Sequence, residues 1–452
     1  MDSTAVPTRS APGRTPPSRA AALALGSWGA ALVTVVLIGR GLDARGELHL
    51  GAAPLSGQVR DDVPWAGLLL PAGAAAVLVV LGARIAPRLG PVALPCATAA
   101  AAAAWTLALA LVDGPASLAA PLTSPHDYLA DVPRVDGAWS LLPSFADQVV
   151  ARAGAEAWTT HVAGHPPGAL LMFWWADRVG LGGPAWAAAL LIVVGSSAAA
   201  AVAVAVRALA GPAAAAASSP LLALAPYALW VATSADAAFL AVSAWGAALL
   251  AVAVTRPPDR RATASALGGG GLLGSGLYLS YGLVPFGVVA AGLLLAGGRA
   301  RALRAAALAA AGVLVVVTAY TAAGFWWPDG FAATRTRWAQ GWGSQRSFGY
   351  TAVGNLAVAG LAAGPAVVAA LPRLQALPGR LAHPSVGALV AVLLADASGM
   401  SRGEVERIWL PFLPWLLLVA LAFDRGKSVP RGWLLGQAGT ALAVTALVRT
   451  TW

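Results

Sequence analysis

Lysine, cysteine and charge of either sign are scarce in this sequence. Of 452 residues only 11% are Asp, Glu, Lys or Arg, while 58% are apolar. So few charges cannot coat a water-soluble protein of this size, and they exclude a disordered scaffold or a charged coiled coil. Cys96, the single cysteine, has no partner for an intramolecular disulfide and so says nothing about redox compartment. Lys427 is the single lysine among 29 basic residues. With Ala and Gly abundant, that bias reads as the mark of a GC-rich genome, and the net charge of +10 is no argument for a nucleic-acid partner. Strict apolar–polar alternation is missing too, which excludes an outer-membrane barrel.

What the chain has is continuous apolar blocks, many of them near the roughly 20 residues that a helix needs to cross a bilayer. They fall at about 21–39, 64–83, 89–112, 183–206, 212–231, 236–254, 263–279, 280–297, 303–323, 352–371, 383–398, 408–423 and 431–449. The expected fold is all-α: a multi-pass protein of the cell membrane with about 13 transmembrane helices and further juxtamembrane helices on the outer side. Residues 1–20, rich in Pro, Ser and Arg, are expected to be a disordered cytoplasmic N-terminus, and 21–452 one transmembrane domain. The first block is too long for a signal-peptide core and reads as an uncleaved span. The small-residue runs Ala99–Ala104, Ala213–Ala217 and Gly268–Gly271 read as places of close helix packing.

Alternate threading puts 17 basic and 3 acidic residues on the cytoplasmic side, and 12 basic and 16 acidic on the other. The arginine excess inside follows the positive-inside rule. The acidic excess outside is not part of that rule, because carboxylates hardly direct insertion, so it points to the outer face as the working face. The stretch 165–180, with an apolar part of only Ala169 to Ala176, is expected to be a half-helix or a short tilted helix on that side.

Two outer loops, 113–164 and 324–351, hold most of the candidate chemistry. The first carries Asp127, Tyr128, Asp131, Arg134 and Asp136. Ser144 with Asp147 then resembles a capping box, and Leu142, Phe145 and Val149 give one apolar face, read as an amphipathic helix on the membrane surface or an ordinary loop helix. It ends in Thr159-Thr-His-Val-Ala-Gly-His-Pro-Pro-Gly168, where two prolines hold the chain extended just before a helix and fix His165 at the lipid–water boundary. The second loop interleaves Trp326, Trp327, Trp338 and Trp342 with Arg335, Arg337 and Arg346, and also holds Asp329, Gln340 and Gln345. Such a mixture suits a sugar ring beside a phosphate, and equally an aromatic belt. Near the end of the chain Glu404, Glu406 and Arg407 stand directly before an apolar block, where charge is costly unless paired.

The order of these motifs resembles the GT-C superfamily of membrane glycosyltransferases, most of all its actinobacterial members. The resemblance rests on His126-Asp127-Tyr128-Leu129, Gly164-His165-Pro166-Pro167-Gly168, the Thr233-Ser-Ala-Asp236 helix start and the Gly403-to-Trp409 stretch. It implies a sugar donor carried on a polyprenyl phosphate, a cell-envelope glycan or glycolipid as acceptor, and inverting transfer on the extracytoplasmic face, with membrane lipid as surroundings. Asp127 is then the candidate catalytic base, with Asp131 and Asp136 in reserve. His165, Arg407, Asp131, Tyr128, Asp236, Arg337 and Glu404 are candidates for substrate binding. Each acid has a plainer reading as a solvated loop residue or, for Asp236, as a carboxylate at a helix N-terminus. Tyr278 and Tyr281 line a cavity or anchor at the interface. The first loop has a single Asp before Tyr128, without a second acid beside it, so a divalent cation stays open and no other cofactor is implied. A secondary transporter or lipid flippase is the alternative, although such proteins place ionisable groups near the bilayer midplane and these blocks are almost free of charge.

Overall fold

The computed structural model describes residues 18–150 and 156–451, so most of the expected disordered segment and Arg152 lie outside the described residues. The chain is about 75% helical. Among the described residues six helices are long and apolar enough to cross a membrane: α1 (Arg19–Ala44), Trp65–Arg88, Ala93–Ala110, Pro184–Ala210, Asp236–Thr255 and Arg299–Ala322. Shorter apolar helices fill other expected blocks, at Tyr281–Leu295, Ala382–Ala397 and Leu413–Asp424. The glycine run of the helix Arg260–Leu279 packs on the backbone of Ala309, as small residues allow.

Block 352–371 does not run straight. Helices Phe348–Ala363 and Pro365–Ala376 meet at 99°. Gly364 takes φ +90°, open to glycine at little cost, and Pro365 can donate no hydrogen bond to continue the first helix. Gln437 fills the break: its amide donates to the Ala363 carbonyl at 2.8 Å and its oxygen accepts from Ala366 N–H at 3.2 Å.

A small sheet interrupts the all-α expectation. Strands β1 (Gly51–Ala52) and β2 (Leu55–Val59) form a hairpin after α1, and β3 (Val448–Thr450) adds to its edge with Gly57 opposite Thr450 and Val59 opposite Val448, all antiparallel. Arg60 locks the junction, binding both carboxylate oxygens of Asp113 at 2.6 and 2.8 Å and the Thr445 carbonyl at 2.8 Å. Three ends of apolar segments, at residues 44, 110 and 447, are thereby drawn to one face.

The loop 113–164 is compact. Its helix runs Ala138–Ser144 from an N-cap at Gly137, so Ser144 closes this helix and is not the capping residue expected from its spacing to Asp147. The Ser144 hydroxyl donates backwards to the Ser140 carbonyl, the local bond with which a serine competes against further helix. Leu142, Phe145 and Val149 are buried in protein, Phe145 stacking on Trp158 and standing edge-on to Phe325, so this face does not lie on lipid. The half-helix expected near 165–180 is α2 (Pro167–Arg178), 12 residues, about 18 Å at the α-helical rise.

Candidate active site

A four-residue helical turn, Thr160–Ala163, carries His161, and His165 lies in the bend between that turn and the start of α2. Prolines 166 and 167 fit the first positions of a helix, where no backbone donor is needed. Gly168 allows the close approach: a Cβ there would strike the Tyr278 carbonyl, so α2 is seated directly on the end of the helix Arg260–Leu279.

Asp127 is buried and held on both oxygens. Oδ1 accepts the Tyr128 N–H at 2.7 Å, and Oδ2 lies 3.1 Å from His161 Nδ1. A carboxylate accepts, so His161 Nδ1 carries the hydrogen. One residue on, the Tyr128 hydroxyl is 2.7 Å from His165 Nδ1, which also sits 2.8 Å from the His161 carbonyl. The carbonyl only accepts, which fixes hydrogen on Nδ1 of His165 and the lone pair on Nε2. Burial pulls His165 down to about 4, the neighbouring Asp236 only partly opposing it, so the imidazole is neutral at physiological pH. Burial also raises the Tyr128 phenol well above its usual range, helped by the charges of Asp236 and Asp127.

The third part of the site comes from the end of the chain. Arg407, in the short turn Val405–Ile408, donates to Asp236 Oδ2 and to Glu404 Oε2, both at 2.8 Å. Asp236 opens the helix Asp236–Thr255 and is also bound by the Ser234 hydroxyl at 2.8 Å. Glu404 faces a second cation, Arg346, at 3.6 Å. Burial opposes ionisation of Glu404, but Arg407, Arg346 and His161 together hold its carboxyl below the usual range. Asp127, Tyr128, His161, His165, Asp236, Glu404 and Arg407 therefore form one electrostatically connected group from three distant stretches of chain. Asp127, Asp236 and Arg407 are its buried floor, while the side chains of Glu404 and His161, 26% and 15% exposed, form its rim.

Backbone clasps hold this end in place. Arg346 donates to the Leu48 and Arg402 carbonyls at 2.6 and 2.7 Å, and Arg402 returns a bond to the Arg346 carbonyl at 2.9 Å. Asn355, the chain's single asparagine, donates to Asp396 and the Ser401 carbonyl and accepts from Gly403 N–H. Glu406 is fully buried, one oxygen accepting the Ser56 N–H of β2 at 2.9 Å, the other without a partner among the described residues. Burial, which that bond only partly offsets, pushes Glu406 up to about 7.

Not every candidate joins the group. Asp131 is a strut, buried and bound to Arg134 at 2.6 Å and to Thr159 N–H at 2.8 Å. Arg337 is half-buried on the helix Trp327–Ala339, and no ion pair to the group is formed by it among the described residues. Arg335 is exposed. Trp327 packs on Tyr281 and Phe331, Trp338 lies under the Arg402 guanidinium, and Trp326 and Trp342 are exposed, so the tryptophans divide between packing and surface. Tyr278 stacks on Tyr320 at 3.9 Å. His161, not singled out in the sequence, is the addition; its spacing of four from His165 was the available signal. Among the described residues no three His, Cys, Asp or Glu side chains are arranged to hold a metal ion.

No family model matches this chain, and neither a curated protein nor a solved structure is significantly similar to it.

Two outcomes follow from these placements. Asp131→Asn is expected to lower stability by about 1–3 kcal/mol, the cost of leaving buried donors poorly satisfied, with a much smaller effect on activity than any change at Asp127. Denaturant titration in mixed micelles alongside a transfer assay checks both. His165 adds a pH dependence: its folded pKa lies below the unfolded 6.5, so the unfolded state binds more protons between 6.5 and about 4. Acidification through that window should therefore cost stability, and His165→Gln should flatten the dependence in melts of the detergent-purified protein.

Proposed function

We propose that this protein is an integral-membrane glycosyltransferase of the GT-C type. It transfers a sugar from a polyprenyl-phosphate donor to a cell-envelope glycan or glycolipid on the outer face. The observation that carries the reading is the meeting of the Asp127–His161 pair with Arg407 and Glu404, from opposite ends of the chain, beside half-helix α2. That pairing of an acid–base unit with a buried arginine is what displacement of a lipid phosphate by a hydroxyl requires.

The geometry supports the following roles. The acceptor hydroxyl gives its proton to the Asp127–His161 pair as its oxygen bonds to the anomeric carbon. The bond from that carbon to the phosphate oxygen breaks, and the electron pair leaves with the polyprenyl phosphate, whose growing charge Arg407 and Arg346 offset. Tyr128 and neutral His165 orient the sugar, and Asp236 holds Arg407 at its other nitrogen.

About thirteen crossings with a cytoplasmic N-terminus fit this reading. Support comes from the pairing of β2 with β3, which sets residue 450 beside the strand that follows α1, an arrangement compatible with an even number of crossings after α1. The test is purified protein in vesicles, offered polyprenyl-phosphate-linked hexoses and pentoses with a cell-envelope extract as acceptor. Transfer with release of polyprenyl phosphate is expected. Movement of the intact donor across the bilayer without transfer would replace this reading with a flippase.

A further inference from the structure

Resting on the transferase reading, we infer that the Glu404 carboxylate stands where the donor's phosphate binds, and that binding exchanges one anion for the other. Glu404 lies between two guanidinium groups from different loops, Arg407 at 2.8 Å and Arg346 at 3.6 Å, with His161 the next positive-capable group facing it. Two arginines converging on one point, with an imidazole beside them, are a donor set for a phosphate monoester. A carboxylate presents two oxygens to the same donors and substitutes for it.

Charge decides how the exchange works. Counting carboxylates and guanidinium groups alone, Asp127, Asp236 and Glu404 against Arg346 and Arg407 leave one negative charge in excess. A phosphate dianion added to that would meet repulsion in a site with little water to screen it. Removing Glu404 brings the balance to zero and frees one face of Arg407, while Asp236 keeps the guanidinium in position from the other side. Glu404 is the carboxylate able to leave. It is the most exposed of the three and sits at the rim, while Asp127 and Asp236 are buried and each held by a further bond. Its backbone is in the left-handed region at φ +61°, which a non-glycine residue holds at a cost, so its position is imposed by the clasps around it and not by local preference. In the resting state Glu404 keeps two buried arginines satisfied; with donor bound it turns outward.

The experiment is binding of polyprenyl phosphate and, separately, of inorganic phosphate to the full chain in detergent, comparing wild type with Glu404→Gln and Glu404→Ala. Both variants should bind polyprenyl phosphate about tenfold or more tightly than wild type, as expected when a competing like charge is removed. Equal or weaker binding by both variants overturns the exchange and leaves the transferase reading to the Asp127 test. Inorganic phosphate bound as tightly as polyprenyl phosphate, with the same gain on substitution, sustains the exchange but removes the lipid carrier, and with it the transferase reading. Tighter polyprenyl phosphate binding with little gain in inorganic phosphate supports both.

Discussion

Asp127→Asn should lower sugar transfer by about 10²–10⁴-fold, the usual worth of a positioned acid–base group, while leaving the protein folded. The amide keeps the size of the carboxylate and still accepts from Tyr128 N–H, so the local turn survives. What it loses is the negative charge 3.1 Å from His161 Nδ1. Without that charge the imidazole is neither held in the Nδ1–H form nor stabilised when it gains a proton. Activity in vesicles, set against melting and size-exclusion behaviour of the same preparation, separates chemistry from folding. Undiminished transfer would remove Asp127 and His161 from the reaction, and with them the strongest support for an enzyme.

The second large effect is on stability. Arg407→Ala should cost about 3–5 kcal/mol, because removing one partner of a buried ion pair leaves the other charge uncompensated. Among the described residues the Asp236 carboxylate, buried at the top of its helix, would then keep the bond from the Ser234 hydroxyl, whose oxygen in turn accepts the Asp236 N–H. Adding Asp236→Ala should restore a good part of the loss, which denaturant titration in mixed micelles measures directly. A loss below about 1 kcal/mol, the range of a surface pair, would mean that water reaches the pair freely. Because the alanine variant is crippled in folding, the role of Arg407 in donor binding is better read from Arg407→Lys. The ammonium keeps the charge but cannot bind Asp236 and a second anion in the same plane. It should raise the KM for donor more than that for acceptor.

Six of the thirteen expected blocks, seven with the bent pair, are helices long and apolar enough to cross a membrane among the described residues; they were legible because a membrane span is a local property of about twenty residues. The motif of His165 with its two prolines was legible for a similar reason, since proline acts on its own neighbours. Much of the rest depends on partners far away in sequence. The β1–β2 hairpin carries no strong strand signal in Gly, Ala, Leu and Ser, and its third strand comes some 390 residues later. The break at Gly364 needs Gln437 to satisfy it. Asp131 and Asp127 look alike in the sequence, and the difference between strut and candidate base lies in whether Arg134 or His161 stands opposite. Ser144 shows the limit of a short motif: a Ser-x-x-Asp spacing fits a helix start, but the chain had begun its helix at Gly137.

The edge strand β3 has a consequence for how the protein is made. Ser56 on β2 hydrogen-bonds Glu406, and β2 is itself flanked by residues 448–450. Synthesis and insertion must therefore proceed as far as Thr450 before the β1–β2 hairpin acquires its edge strand. A chain that stops short of Arg407 leaves Asp236 without its guanidinium partner, so the charged group assembles only late in synthesis.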